Sequence, residues 1–179
     1  MAAGDTRIRL CGRLEVLWNG ARVESSLRGR QGRLLFAYLV LHRHRPVRRD
    51  ELVAAVWPDE AAAGAEASLA PLLSRLRRTV GTEHLEGRGE LTLVLPAGGW
   101  VDVEALAAAV ERARAAVGAG DWAAGASAAG EALAIAEQGL LPGLEAPWID
   151  ELRRQHEEVR VEILELVARA GAGAGAGGA

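Results

Sequence analysis

The sequence predicts an α+β domain followed by an all-helical segment, and three observations support this. Residues 7–18 alternate loosely between polar and apolar side chains and end at Asn19-Gly20, a dipeptide typical of tight turns between strands. Three short helical patterns then precede a β-prone hairpin. From residue 103 onward, apolar residues recur at helical spacing. The chain therefore combines a small antiparallel sheet, a helical middle part and a separate helical rear part.

At the N-terminus, the alternation places a set of apolar side chains on the inner side of the sheet: Ile8, Leu10, Leu14 and Val16. Cys11 lies in the same run, and the pattern predicts a small buried residue there. Because Cys11 is the one cysteine of the chain, an internal disulfide is excluded. A lone thiol fits a reducing compartment.

Two helices are expected before residue 58. Residues 32–43 carry a broad apolar face and form the first. Residues 49–57 form the second, and its first turn holds Asp50 and Glu51, where the helix dipole favours negative charge. A proline follows each helix and ends it.

The third helix is expected over residues 69–80. At 100° per residue its aliphatic side chains fall on one stripe: Leu69, Leu72, Leu73, Leu76 and Val80. Ser68 is expected to cap the N-terminus, which places Pro71 in the first turn, where backbone N–H groups have no intrahelical partner. Residues 61–67 are then expected to form a loop.

A turn at residues 86–90 and a β-prone run at 91–95 predict a hairpin after the third helix, and Trp100-Val101 adds a further short strand. A sheet, three helices and a hairpin, in this order, form a winged helix-turn-helix. In that fold the second and third helices are the reading unit, and the hairpin is the wing beside it.

The rear part predicts three helices, at residues 103–117, 122–138 and 147–170, and their antiparallel pairing resembles tetratricopeptide-type repeats. From residue 171 the chain contains glycine and alanine alone, which predicts a disordered tail. The predicted domains are a winged-helix domain at 1–101, a helical segment at 102–170 and a tail at 171–179.

Charge is distributed unevenly along the chain. All 21 basic residues are arginine; residues 1–101 carry 15 of them against 11 acidic residues, and residues 102–179 carry 6 against 13. A contact with a polyanion is therefore expected in the front part. No apolar run reaches the roughly 20 residues that span a bilayer, and the N-terminus has no apolar signal core. We therefore expect a cytoplasmic protein without a membrane partner.

The candidate nucleic-acid contacts are polar side chains on the third helix, on the wing and at the starts of the first two helices. They are Ser74, Arg75, Arg77, Arg78, Arg88, Arg48, Arg49, Arg30 and Arg33. A guanidinium group suits both a phosphate and a guanine edge, because its donors form a planar fork. The alternative for each arginine is an ordinary solvated surface position.

Enzymatic and metal-binding functions find no support in the sequence. We find no nucleophile, base and acid in a catalytic set, and Cys11 has no partner for such chemistry. His42-Arg43-His44 lacks a cysteine or carboxylate at ligand spacing. The glycine pattern at residues 173–178 does not follow a strand, as a dinucleotide-binding loop must. We expect a non-enzymatic protein that uses neither a metal nor a cofactor.

Several motifs, taken in order, resemble one family of bacterial regulators. They are Arg28-Gly-Arg-Gln-Gly-Arg-Leu-Leu, His44-Arg-Pro-Val-Arg-Arg-Asp-Glu-Leu-Val, Val56-Trp-Pro, Leu73-Ser-Arg-Leu-Arg-Arg and Val101-Asp-Val-Glu. They resemble the actinobacterial antibiotic regulatory proteins (SARP, AfsR-like), in which an OmpR-type winged helix precedes a bacterial transcriptional activator domain (BTAD). The resemblance covers residues 7–170, and its BTAD-like segment is shorter than in the family.

The resemblance implies a DNA-binding transcriptional regulator. Its partners would be double-stranded DNA, contacted through the recognition helix at residues 69–80, and RNA polymerase or a second copy of the chain, contacted through the helical segment.

The start of the third helix departs from the family. Ala67, Ala70, Pro71 and Leu72 stand where family members often have the polar or basic residues that read base edges. The alternative function is therefore a protein-interaction module, for adaptor contacts or oligomerisation, whose winged helix no longer reads a DNA sequence.

Overall fold

The computed structural model describes residues 5–58 and 62–176, and the chain divides into two compact units. Unit 1 holds the residues up to Ile8, Leu14–Gly99 and Gly143–Trp148; unit 2 holds Arg9–Arg13, Trp100–Pro142 and the residues from Ile149 onward. The main change of unit, after Gly99, lies close to the domain boundary expected after residue 101. The assignment of Arg9–Arg13 to unit 2 and of Gly143–Trp148 to unit 1 differs from that expectation.

A small antiparallel sheet opens the chain, as expected. Its strands are β1 (Arg7–Arg9), β2 (Glu15–Trp18) and β3 (Ala21–Arg22), in the spatial order β3-β2-β1. Asn19 and Gly20 form the turn between β2 and β3, both with positive φ, so that Trp18 pairs with Ala21. Left-handed backbone at both positions suits asparagine and glycine, which explains why this dipeptide forms the turn.

Three helices follow in unit 1: α1 (Gly29–Leu41), α2 (Arg49–Val56) and α3 (Ala62–Val80). The largest fully buried side chains of this unit come from these helices and from nearby strands: Ile8, Leu34, Leu35, Phe36, Leu39, Leu52, Leu69, Leu73, Leu85, Leu91 and Leu93. The indole of Trp18 donates a 2.9 Å hydrogen bond to the Val80 carbonyl oxygen and so fixes the C-terminal end of α3. The core of unit 1 therefore lies between these helices and the strands.

Helix α3 begins at Ala62, seven residues before the predicted start at Leu69, and Pro71 lies inside it. Two features explain the longer helix. Ala65 is fully buried and extends the apolar stripe by one turn N-terminal to Leu69. Pro71 is exposed, so its ring and the carbonyl group that it leaves without a helical partner face solvent. Ser68, the predicted cap, instead donates within the helix to the Gly64 carbonyl oxygen at 3.2 Å.

The wing is part of a three-stranded antiparallel sheet. Its strands are β4 (Val47–Arg48), β5 (Leu85–Glu86) and β6 (Glu90–Leu93), in the order β4-β6-β5. Leu91 pairs with Val47 on one side, and Leu93 pairs with Leu85 on the other. These four side chains are buried, so the wing is held to unit 1 by its own apolar face.

A polar cluster connects α1 and α2. The Tyr38 hydroxyl donates a 2.6 Å hydrogen bond to Glu51, and Arg45 donates to both oxygens of the same carboxylate, at 3.1 Å from Nη1 to Oε2. These donors lower the pKa of Glu51 to about 2, with the Arg45 bond as the main cause. Burial and the bond to Glu51 raise the pKa of Tyr38 to about 12.

The segment Gly143–Trp148 belongs to unit 1 because of an aromatic contact. Trp148 meets the ring of Tyr38 edge-on, with 5.1 Å between the ring centroids. Its indole N–H also donates to the Ala55 carbonyl oxygen at 3.0 Å.

Unit 2 contains β7 (Trp100–Val101), α4 (Asp102–Gly118), α5 (Trp122–Ala136) and, from Ile149 onward, α6 (Pro147–Ala176). Its core is rich in alanine and allows close approach of the helices: Leu106, Ala109, Val110, Ala113, Ala128, Ala129, Ala132, Ala136, Ile163 and Leu166. The three predicted helices are all present, with ends that differ by a few residues.

A buried carboxylate explains why Arg9–Arg13 belongs to unit 2. Asp102 is 3% exposed and accepts hydrogen bonds from the backbone N–H groups of Leu10, Cys11 and Val103 at 2.7–2.9 Å. Burial raises the pKa of Asp102, although these donors oppose the shift. Cys11 is buried in the core, as expected. This burial, beside the Asp102 carboxylate, raises the pKa of the Cys11 thiol to about 12.

The glycine- and alanine-rich end of the chain differs from the expected disordered tail. Helix α6 continues to Ala176, and residues 177–179 lie outside the described residues. Gly173 explains the continuation, because a Cβ at this position would lie 2.3 Å from the indole of Trp122. A residue without a side chain lets this large aromatic ring pack directly against the helix.

We expect Gly173→Ala to destabilise unit 2 by about 1–3 kcal/mol through overpacking against Trp122. The matched control is Gly171→Ala, since no atom lies within 4 Å of a Cβ there. That change should stabilise α6 by up to about 1 kcal/mol, because alanine favours a helix over glycine. Urea unfolding of the two variants measures the difference, and equal stabilities would contradict the proposed packing.

We expect the stability of unit 1 to fall as the pH decreases from 4.5 to about 2. A carboxylate whose pKa is lower in the folded chain contributes stability above its unfolded pKa and loses it as the pH falls through its folded pKa. The loss should be about 1–2 kcal/mol, since the cluster is partly solvated. Urea unfolding between pH 6 and about 2 checks this, and Glu51→Gln should flatten the profile. An unchanged profile in that variant would exclude Glu51 as its source.

Candidate nucleic-acid interface

The exposed side of α3 is one continuous stripe, which we call the α3 outer face. Its residues recur from one helical turn to the next, at spacings of three or four positions. They are Ala67, Ala70, Pro71, Ser74, Arg75 and Arg78. The N-terminal half offers apolar groups, and the C-terminal half offers a hydroxyl and two guanidinium groups. Within residues 5–58 and 62–176, neither Arg75 nor Arg78 makes a side-chain hydrogen bond or ion pair. Both are therefore available to a ligand.

Arg75 lies beside the start of α1. Together with Arg28, Leu72 and Gly32, it lines a small cleft between α3 and the N-terminal turn of α1. Arg33, one turn into α1, is exposed, and no side-chain partner is found for it in the described part of the chain. Arg28 is a further candidate nucleic-acid contact. It is not among the nine residues predicted from the sequence, although it begins the motif that contains Arg30 and Arg33.

The wing presents Arg88 at its tip. Residues 87–89 connect β5 and β6, and Arg88 is exposed with no side-chain partner among the described residues. Gly87 makes the tight turn possible, because its φ is +86° and a Cβ there would lie 1.9 Å from the Glu90 carbonyl oxygen. A glycine at this position is therefore required for the placement of Arg88.

Arg77 differs from its neighbours on α3. It is half-buried, and its guanidinium donates to the Gly87 carbonyl oxygen at 2.7 Å and to the Leu85 carbonyl oxygen at 3.4 Å. The sequence predicts Arg77 as a phosphate or guanine contact. In the structure its donors hold the wing against α3, which makes it a positioning residue for Arg88.

Arg48 and Arg49 stand at the start of α2, as expected, and each is paired with a carboxylate. Arg48 binds Asp50 through two hydrogen bonds of 2.6 and 3.0 Å, and Arg49 binds Glu66 of α3 at 2.7 Å. The Arg49 backbone N–H also donates to the Gly89 carbonyl oxygen in the wing at 3.3 Å. The contacts of Arg49 lie where α2, α3 and the wing meet.

Arg30 is exposed, and its guanidinium donates to the carbonyl oxygen of Glu145. The eight predicted arginines thus fall into two groups. Arg75, Arg78, Arg88 and Arg33 have guanidinium groups without side-chain partners in the described ranges, whereas Arg30, Arg48, Arg49 and Arg77 are engaged within the chain. Ser74 is exposed between the guanidinium-bearing positions of α3.

Comparison with known proteins gives the family of this segment. Residues 24–90 match the family described as "Transcriptional regulatory protein, C terminal". We call this matched segment, residues 24–90, the regulator domain. The regulator domain contains α1, α2, α3 and the wing turn, and therefore all nine predicted contacts.

A solved structure is similar over most of the chain. Mycobacterium tuberculosis EmbR, solved in complex with a low-affinity phosphopeptide, superposes with a TM-score of 0.82 and 23% sequence identity. The match covers 95% of this chain and 46% of the EmbR chain, so the chain spans less than half of that protein's length. A search of curated proteins gave no match.

These comparisons confirm the α+β fold and the OmpR-type, SARP-like architecture, in which the regulator domain precedes a helical part. In the described residues, no helix is long and apolar enough to cross a membrane. The same residues contain no group of three or more histidine, cysteine, aspartate or glutamate side chains placed to hold a metal ion.

We expect Arg77→Ala to loosen the wing of the regulator domain and to reduce stability by about 1 kcal/mol, because the carbonyl groups of Leu85 and Gly87 lose their side-chain donor. Arg78→Ala is the matched control and should change stability by less than about 0.5 kcal/mol, since Arg78 is an exposed surface residue. Urea unfolding and amide hydrogen exchange of β5 and β6 measure both effects. Equal wing exchange in the two variants would show that Arg77 does not hold the wing.

Proposed function

We propose that the chain is a DNA-binding transcriptional regulator that contacts double-stranded DNA through the α3 outer face and the wing tip. The observation that carries this proposal is a set of three arginines, Arg75, Arg78 and Arg88, that lie on two adjoining elements of a regulator domain and have no side-chain partner among the described residues. In a winged helix-turn-helix, the equivalent helix enters the major groove. Unpaired guanidinium groups supply phosphate contacts without first breaking an internal bond.

In this proposal, the C-terminal half of the α3 outer face contacts the base edges. Ser74 and Arg75 carry hydrogen-bonding groups that reach outward, and an arginine fork fits the two acceptors of guanine. Ala67, Ala70 and Pro71 offer no polar side-chain group and fit only apolar contacts, such as the thymine methyl group. We therefore expect phosphate contacts to supply most of the affinity and few positions of the DNA to be read.

The helical unit supplies a second surface in this proposal. Val161 and Leu164 are 53% and 44% exposed on α6, three residues apart and so on the same side of the helix. We propose that this unit contacts a second copy of the chain or RNA polymerase.

The second candidate function is a protein-interaction module with a winged helix that does not bind DNA. The apolar N-terminal half of the α3 outer face favours it, because small exposed apolar groups suit a protein partner as well as a DNA groove. Fluorescence anisotropy with a random-sequence duplex at two salt concentrations separates the two functions. Micromolar affinity that falls steeply with salt supports DNA binding, and no binding at low salt supports the interaction module.

We expect the double variant Arg75→Ala with Arg78→Ala to weaken duplex binding without unfolding the regulator domain. If each arginine neutralises one phosphate, the slope of log K against log salt should decrease by about 1.8 in magnitude. The matched control is Arg154→Ala with Arg160→Ala, which removes the same charge from α6. Unchanged duplex affinity in the α3 double variant would exclude the α3 outer face as the binding surface.

A further inference from the structure

We propose that Glu66 is a specificity-determining residue, which keeps Arg49 paired and so lowers the affinity of the domain for DNA of arbitrary sequence. This inference rests on the DNA-binding function proposed above. It concerns one ion pair between α2 and α3, and it predicts that removal of an acidic side chain changes the number of phosphates that the domain neutralises.

The position of Arg49 would allow it to contact a phosphate once its ion pair with Glu66 opens. It is the first residue of α2, its guanidinium binds Glu66 at 2.7 Å, and its backbone N–H donates to Gly89 of the wing. The guanidinium therefore lies against α3, and the backbone of the same residue contacts the wing. These two elements carry the arginines that have no side-chain partner among the described residues. The side chains of Arg49 and Glu66 are 28% and 47% exposed, so solvent and ligands reach the pair.

Glu66 is unusual in its surroundings. Between residues 62 and 80 it is the one acidic side chain of α3, and it directly precedes Ala67, the first residue of the α3 outer face. An unpaired carboxylate at this place would repel the phosphates of a bound duplex. In the ion pair the charges of Glu66 and Arg49 compensate each other, so the pair presents no net charge to a phosphate and releases no counterion from DNA.

The fold does not depend on this pair. Ala65 and Leu69 are fully buried and anchor the N-terminal half of α3 through apolar contacts, and partly exposed ion pairs contribute little to stability. The pair therefore acts mainly on the charge that the domain presents to a polyanion. Arg75, Arg78 and Arg88 bind phosphate of any sequence, whereas Arg49 does so only when a duplex draws it away from Glu66.

The experiment compares the full chain with Glu66→Gln, Arg49→Gln and the double variant, using a random-sequence duplex pool and the duplex that the wild-type chain enriches from it. We expect Glu66→Gln to bind the random pool more tightly, with a salt slope steeper by about 0.9. The affinity ratio between 50 and 200 mM salt should then increase by about 3.5-fold. In the double variant the slope should return to the wild-type value. Circular dichroism verifies that each variant is folded.

Glu131→Gln is the matched control, because Glu131 forms a similar exposed pair with Arg112 at 2.6 Å in unit 2. It changes the net charge equally and should leave the salt slope unchanged. The inference is overturned if Glu66→Gln has the salt slope of the wild-type chain, or if Glu131→Gln shows the same increase in salt slope. In either case, duplex binding by the wild-type chain still supports the proposed function. If Glu66→Gln lost binding to the enriched duplex alone, the inference would also be overturned, since Glu66 would then read a base. No duplex binding by the wild-type chain at low salt would overturn both proposals.

Discussion

The buried stripe of α3 is the constraint on which the rest of the regulator domain depends. Ala65, Leu69, Leu73, Leu76 and Val80 are at most 3% exposed and fix the rotation of the helix about its axis. Because a helix has 3.6 residues per turn, this rotation also decides which residues form the opposite side. The α3 outer face is thus a consequence of core packing, and apolar burial alone brings Arg75 and Arg78 to the surface.

The wing requires a second, polar constraint. Its apolar residues Leu85 and Leu91 are buried, but the tip at residues 87–89 is exposed and has no core contact of its own. Arg77 and the backbone of Arg49 supply the missing contacts, at Gly87 and Gly89 on the two sides of Arg88. The arginines of the domain therefore have two different roles: some hold the tip in position, and others remain available to a ligand.

The sequence predicted the order of elements and the exposed arginines, because both follow from local patterns. Asn19-Gly20 forms the expected turn, and the leucine spacing alone indicates that Arg75 and Arg78 face outward. The remaining features depend on contacts between residues far apart in the chain. The bond from Arg77 to Gly87 and the packing of Gly173 on Trp122 cannot be read from periodicity. The early start of α3 was missed because the exposure of Pro71, which removes the conflict with a helix, depends on the whole fold.

The two roles of the arginines also affect how a DNA-binding domain of this kind would achieve sequence specificity. Under the proposed DNA-binding function, few groups on the α3 outer face distinguish one base from another, so a single domain would gain most of its affinity from phosphates and would discriminate weakly. Two domains on one DNA molecule multiply their discrimination, since the second binds at a high effective concentration once the first is in place. A regulator domain that reads DNA weakly would therefore benefit from a separate surface that joins copies, and the surface proposed for that contact includes the exposed Val161 and Leu164 of α6. The role proposed for the Arg49–Glu66 pair would have the same effect, because weak DNA binding by each single domain would make occupancy depend on the second domain.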